Sequence, residues 1–321
     1  VDAPRSTQGA PRTDLEELLQ AMRRDLVRRE EAPSGDWVEE SARDLASGTK
    51  PGWYFSPAEG GGIAFYARQA REAYGHVHAG HGVAPADRAR RLAIALLDGL
   101  PEDVDSVNLG FTGLEGEEEI RFADRLAERP GSTVIERLSM ERPLSPADGA
   151  ASVPPPAGIR LLPVRDVTVD ALADLDRRAF AGSVDELLVG PSADAYRLIF
   201  QSILDGRLGR FVDEASVALL ERDPVRVVGT VLTTEQSIRR AVLVDLMVDP
   251  ARRRRGLGRF LVTWVLRAHR ALGYETVRLW VTAANRPARA LYAEFGFRLI
   301  GRATIYRWDR SGVGPHAHSG R

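Results

Sequence analysis

Pro154, Pro155 and Pro156 stand together near the middle of this 321-residue chain, inside the stretch SPADGAASVPPPAG at residues 145–158. Each proline fixes φ near about −65° and lacks an N–H, so neither a helix nor a sheet ladder runs through the triplet. The chain is therefore read as two globular parts joined by a linker: residues 14–144 and 159–310, with a disordered tail at 1–13 and a loose one at 311–321.

Both parts alternate strand and helix signals. In the first, Leu15, Leu18, Leu19, Met22 and Leu26 recur at helical spacing, and a weaker helix is expected over 36–47. Strands are expected over 53–56, 62–68 and 73–79. The helix over 85–97 places Ala89, Leu92, Ala93, Leu96 and Leu97 on one stripe. A strand over 104–112, a helix over 120–127 and a strand over 133–140 complete this part. In the second, a strand over 159–164 leads to helices over 168–180 and 193–204. Strands are expected over 209–213, 216–220, 225–234 and 241–248. A helix over 257–272, a strand over 276–282, a helix over 286–294 and one or two strands over 297–308 follow. The segment VAPADRARRLAIALL from Val83 parallels VDPARRRRGLGRFLV from Val248, and VNLGFT from Val107 parallels VRLWVT from Val277. These similarities read as one duplicated α/β unit.

Composition narrows the chemistry. The 44 basic and 45 acidic residues leave a net charge of −1, so no global field draws the chain to nucleic acid or to an anionic membrane. With no cysteine, thiol nucleophiles, thiolate zinc sites and covalent acyl-cysteine intermediates are excluded. No apolar run approaches the length of a membrane span and the first residues lack an apolar signal core, so a cytoplasmic protein is expected. Lys50 is the only lysine among the 44 basic residues, so a single arginine says little here.

The informative stretch begins at Asp245. The strand VLVDLMVDP leads into the loop ARRRRGLG and then a helix. Gly256 and Gly258 let backbone approach a ligand closely, and the main-chain N–H groups there, with the helix start, favour a phosphate or diphosphate. Residues 249–270 carry seven arginines and one aspartate, so the field is cationic locally although the chain is neutral. Further on, Val277, Leu279 and Val281 alternate on a strand, Asn285 stands where a helix N-cap is wanted, and Ala288, Leu291, Tyr292 and Phe295 form a helical stripe that Gly296 ends.

This order of residues resembles the GNAT superfamily of acetyl-CoA-dependent N-acetyltransferases. The first motif is Val248, Pro250, Arg253, Gly256 and Gly258; the second is Leu279, Val281, Asn285, Ala288, Leu291, Tyr292, Gly296 and Phe297. The resemblance implies a mixed α/β fold with two GNAT-like domains, each a splayed, mostly antiparallel mixed sheet flanked by helices. It implies acetyl-CoA as co-substrate and no metal. The pantetheine arm would lie between parted strands 241–248 and 276–282, bonded to backbone near Met247 and Val248. The diphosphate would rest on backbone amides of residues 253–258, a cofactor site formed by Arg253, Arg254, Arg255, Gly256, Leu257, Gly258 and Arg259. Asn285 would contact the cofactor or brace the strand. Tyr292 would protonate the departing thiolate, Asp245 would act as base and the Val248 N–H would stabilise the oxyanion.

The first part departs from this pattern. Ala and Arg residues stand where Gly256 and Gly258 do, and no tyrosine matches Tyr292. It is read as a degenerate copy that keeps the fold without the cofactor. Acceptor binding is expected from residues 180–200, with Asp185 and Glu186 attracting a cationic amine. The acceptor is expected to be a small molecule or a protein N-terminus, and the chain a monomer or homodimer. The tandem layout is similar to mycothiol synthases, but the first half lacks the phosphate loop expected there. The competing reading is a non-catalytic acyl-CoA-binding sensor. His76, His78 and His81 lack a completing carboxylate pair and read as a polar strand rather than a metal site. His269 and the run from Glu115 to Glu119 read as solvated, and His316 and His318 carry no signal.

Overall fold

The computed structural model describes residues 3–29, 37–69, 71–80, 84–114, 117–149, 154–189, 192–222, 225–237 and 239–312. The chain forms two compact units: Val1–Glu136 with Arg302–Arg321, and Arg137–Gly301. The divisions fall within two strands, β6 (Ser132–Pro143) and β13 (Arg298–Asp309). Most of the loose tail, including His316 and His318, lies outside the described residues, as do His81, Glu115, Gly116 and residues 150–153 of the linker.

In the N-terminal unit, β1 (Arg5–Ser6), β2 (Gly52–Tyr54), β3 (Ile63–Gln69), β4 (Glu72–His78) and β5 (Ser106–Thr112) form a sheet in that order, completed by residues 305–309 of β13 (Arg298–Asp309). Within the stretch expected to be unstructured, Arg5 and Ser6 pair with Tyr54 and Trp53, and Thr7 is buried. A two-residue strand carries no periodicity that could reveal it. Helices α1 (Arg12–Arg29), α2 (Trp37–Ser47), α3 (Pro85–Asp98) and α4 (Glu117–Leu126) accompany this sheet. Glu119, expected in a solvated run, is buried and accepts a hydrogen bond from the Thr304 N–H at 2.6 Å.

The C-terminal unit orders its strands β6–β12–β11–β10–β9–β7, with β8 also paired to β10. These are the later part of β6 (Ser132–Pro143), β7 (Ile159–Pro163), β8 (Arg210–Phe211), β9 (Val217–Arg222), β10 (Val225–Ser237), β11 (Arg240–Val248) and β12 (Thr276–Thr282). The sheet is antiparallel except where β11 and β12 run parallel. One apolar layer sets α8 (Leu257–Ala271) and Tyr292 of α9 (Arg286–Glu294) against the sheet through Phe260, Leu261, Val265, Leu243 and Leu279. A second gathers α5 (Val169–Phe180) and α7 (Ala193–Leu204) around Leu172, Leu175, Phe200, Ile203 and Met247. A short helix, α6 (Glu186–Val189), lies between them in sequence.

His269 of α8, expected on a solvated face, is fully buried. Its Nδ1 lies 2.8 Å from the Val265 carbonyl, and its ring packs edge-on against Tyr274 at 4.9 Å. Burial holds the imidazole neutral by pushing its pKa down to about 4. The physical reason is simple: position 269 follows Leu261 and Val265 by helical steps and belongs to the core stripe. No helix among the described residues is long and apolar enough to cross a membrane.

The parallel pairs of the two units differ. β4 and β5 pair at seven successive positions, from Glu72 with Ser106 to His78 with Thr112. β11 and β12 pair only from Arg240 with Thr276 to Leu243 with Leu279. The expectation that both sheets splay is thus met in the C-terminal unit alone. A bulge explains the difference. On β11, Leu243 pairs with Thr233 and Asp245 with Leu232, leaving Val244 as an extra residue that bends the strand away from β12. The β3–β4 register runs without such a break.

Candidate active site

Where β11 and β12 separate, a cleft of about 760 Å³ opens beside the start of α8. Val248, Arg253, Arg254, Gly256, Leu257, Gly258, Arg259 and Asn285 line it, together with Asp185, Leu246, Ala288 and Leu291. After β11, Asp249 accepts the Ala251 N–H at 2.9 Å and caps a short 3-10 turn, Pro250–Arg252. Arg254 and Gly256 then take positive φ, at 62° and 79°, which turns successive amides the same way before the helix begins. Gly256 is the N-cap of α8 and supplies no side-chain acceptor, so the first N–H groups of a 15-residue helix remain available at the cleft. A Cβ on Gly258 would stand 3.3 Å from Leu291 Cδ2, so a small residue keeps the cradle open.

Main-chain polarity follows from the strand. The Asp249 N–H donates to the Val228 carbonyl of β10 at 2.9 Å. By alternation, the N–H of Val248 faces away from β10, toward the cleft. Met247 is different: its side chain is fully buried in the layer with α5 and α7, and it does not line the cleft. Arg255 also lies apart, in a neighbouring depression with Arg252 and Glu221. Arg252 is committed to Glu221 through two contacts of 2.8 Å, and Arg259 is held by Glu294. Arg253 donates to the carbonyls of Ala179 and Val248 and so ties the loop to α5.

A second, smaller cavity of about 210 Å³ shares Phe180, Asp185, Leu246, Asn285 and Ala288 with the cleft. Its polar lining is Arg137, Asp176, Asp245, Thr282 and Tyr292; Leu188, Val189, Ile199 and Ile203 are among its apolar walls. Asp185 is the hub of a network. It accepts from Thr282 Oγ1, from Asn285 Nδ2 at 3.0 Å and from Arg137 at 3.4 Å. Arg137 donates further to Thr282 Oγ1 at 2.8 Å and to the Trp280 carbonyl at 3.2 Å. Asn285 also caps α9 by accepting the Ala288 N–H at 3.2 Å, as its position in the sequence suggested.

Asp245 follows the bulge directly. Burial, opposed by a hydrogen bond from the Leu246 N–H and reinforced by the charge of Asp185, pushes its pKa up to about 7. Burial and the neighbouring Asp245 carboxylate hold the Tyr292 phenol above its ordinary value. Asp176 and Arg137 are the residues that sequence reasoning missed. A carboxylate at 176 interrupts the apolar stripe Leu172, Leu175, Ala179, and that interruption was the available signal. Glu186, expected to face the acceptor, instead accepts the Gly182 N–H at 2.8 Å and lines neither cavity. In the N-terminal unit, His76 and His78 lie 3.0 and 3.1 Å from Thr112 Oγ1, on one strand face. Among the described residues no group of three or more His, Asp or Glu is arranged for a metal.

Residues 174–297 match the Acetyltransferase (GNAT) family. The matched segment lies within the splayed unit. Among curated proteins it is similar to the mycothiol acetyltransferase of Clavibacter michiganensis subsp. michiganensis, 31% identical over 160 residues, which is 47% of this chain and 46% of that protein. The match therefore spans just under half the length of that relative. Two solved structures share the fold over nearly their whole length. A GCN5-related N-acetyltransferase from Sphaerobacter thermophilus superposes with a TM-score of 0.58, 18% identity and 94% coverage of both chains. A tandem GNAT protein from the clavulanic acid biosynthesis pathway gives 0.55, 16% identity and coverage of 96% and 97%.

Proposed function

We propose that the C-terminal unit transfers acetyl directly from acetyl-CoA to a primary amine. The observation that carries this reading is the parting of β11 and β12 after Leu243 and Leu279, next to an uncapped helix start built on Gly256 and Gly258. A pantetheine arm fits between parted strands, and a diphosphate suits main-chain donors at a helix N-terminus. Val248, Arg253, Arg254, Gly256, Leu257, Gly258, Arg259 and Asn285 are assigned to that grip. Met247 contributes packing beneath it, and Arg255 screens charge from the adjoining surface.

The chemistry is aminolysis of a thioester. An alkyl ammonium has a pKa near about 10.4, so losing its proton at pH 7 costs about 4–5 kcal/mol. Asp245 is assigned as base: it lines the inner cavity and its pKa is raised to about 7, near neutrality. The amine nitrogen attacks the thioester carbon, and the oxyanion that forms is held by the Val248 N–H. The carbon–sulfur bond then breaks, Tyr292 gives its proton to the thiolate, and the second proton lost by the attacking nitrogen restores the phenol. The raised phenol pKa keeps that proton in place until the thiolate forms. The continuous β4–β5 ladder supports a degenerate N-terminal unit without a cofactor cleft.

The test is free thiol release from acetyl-CoA with a panel of amines. Turnover that Tyr292→Phe suppresses supports transfer; coenzyme A binding without turnover on any amine supports the sensor reading instead.

A further inference from the structure

The charge balance of the inner cavity is incomplete. Its charged lining is Asp176, Asp185, Asp245 and Arg137. Arg137 is hydrogen-bonded to Asp185, Thr282 and the Trp280 carbonyl, and it balances Asp185. The arginines that flank Asp176 on α5 are engaged elsewhere: Arg177 with Asp174, and Arg178 with Asp174 and Asp249. The charge of Arg137 also reaches Asp245, so Asp176 is the carboxylate that shares the cavity without a cation of its own. Asp176 is only 3% exposed, and its Oδ1 has no hydrogen-bond partner among the described residues. A buried carboxylate oxygen left unpaired costs stability, and natural folds keep one where a ligand completes it.

We propose that Asp176 is the recognition carboxylate for the acceptor, which is a compact primary amine with an apolar body and no carboxylate of its own. This rests on the acetyl-transfer reading and narrows its substrate. The walls set the body: Phe180, Leu188, Val189, Ile199 and Ile203 offer carbon surface and no polar side-chain group. The volume sets the size, because about 210 Å³ lies below the range of roughly 300 Å³ and upward that encloses drug-sized ligands. The sign of the charge sets the head group. An ammonium entering between Asp176 and Asp245 supplies the missing cation, whereas a carboxylate on the same molecule would add an anion beside two carboxyl groups in a low-dielectric space. In the unliganded cavity the two aspartates share the burden by retaining protons, and burial beside Asp245 pushes the Asp176 pKa up to about 9. Asp176 is thus a specificity residue. It holds the acceptor while Asp245 handles the proton.

The experiment uses the full chain saturated with coenzyme A, which needs no turnover. 2-Phenylethylamine and phenylalanine, which differ by one carboxylate, are titrated calorimetrically into wild type and Asp176→Asn. The expected result is saturable binding of the amine and a preference for it over the amino acid of about 100-fold or more. Asp176→Asn should weaken the amine by about 10- to 100-fold, narrow the preference and leave coenzyme A affinity unchanged. A purely structural role would move both ligands together. Equal binding of amine and amino acid overturns the proposal, and so does an amine affinity that Asp176→Asn leaves intact, or no amine binding to a chain that binds coenzyme A. If Asp176→Asn does not fold, the wild-type preference decides alone. Failure to bind coenzyme A at all would instead overturn the acetyl-transfer reading.

Discussion

Leu243 of β11 and Leu279 of β12 form the last paired step between the two parallel strands of the C-terminal unit. One residue further, Val244 is the bulged position, and the strand turns from β12 to expose Leu246 and Val248 to the cleft. Ala288 of α9 lines both cavities at that parting. Replacing it with Trp should fill the gap and lower coenzyme A affinity by at least about tenfold, as lost burial of a ligand segment predicts. Ala288 is only half buried, so calorimetric melting should stay within a few degrees of wild type.

Tyr292→Phe removes the hydroxyl and keeps the edge-on ring contact with Phe297, at 5.8 Å between centroids. General acid catalysis contributes about 100- to 10,000-fold, so kcat should fall within that range while the KM for acetyl-CoA changes little. Steady-state kinetics at several pH values measure both. An unchanged kcat would remove Tyr292 from the acid role.

Asp245 should impose a pH dependence on turnover. Its pKa is raised to about 7, so below that value the carboxyl is protonated and cannot accept a proton. The rate should rise from pH 6 to pH 8 in wild type. Asp245→Asn should flatten that rise and reduce the rate throughout.

Asp176 should make the fold less tolerant of high pH. Its folded pKa, raised to about 9, lies above the ordinary carboxyl value of 3.8. The proton it retains favours the folded state fully below pH 3.8, and that advantage is lost as pH rises toward about 9. Asp176→Asn mimics the protonated form. The variant should melt higher than wild type at pH 8, and the difference should shrink toward pH 4, as followed by thermal melts across that span.

Much of this architecture was legible in local pattern. The stripes of α3, α5, α7 and α8 fix the helices because apolar residues recur at helical spacing. The loop at Gly256 and the cap at Asn285 were legible because few residue types satisfy a positive φ or an N-cap. Relationships made between distant segments were not. Nothing local reveals that residues 305–309 pair with β5, or that Arg137 of β6 reaches Thr282 and Asp185. Asp176 was overlooked and His269 misjudged for one reason. A polar residue at a core-facing position looks solvated until the surrounding layer is known.

Calorimetric titration of coenzyme A into the intact chain tests the central claim, that main-chain donors at Gly256 and Gly258 grip a diphosphate and aim a sulfur between parted strands. Pantetheine, which lacks the diphosphate, is the control. Saturable heat is expected with coenzyme A, and binding at least about 100-fold weaker with pantetheine, as charge-assisted contacts to a diphosphate imply. No heat with coenzyme A at millimolar concentration, or equal binding of the two compounds, would contradict it.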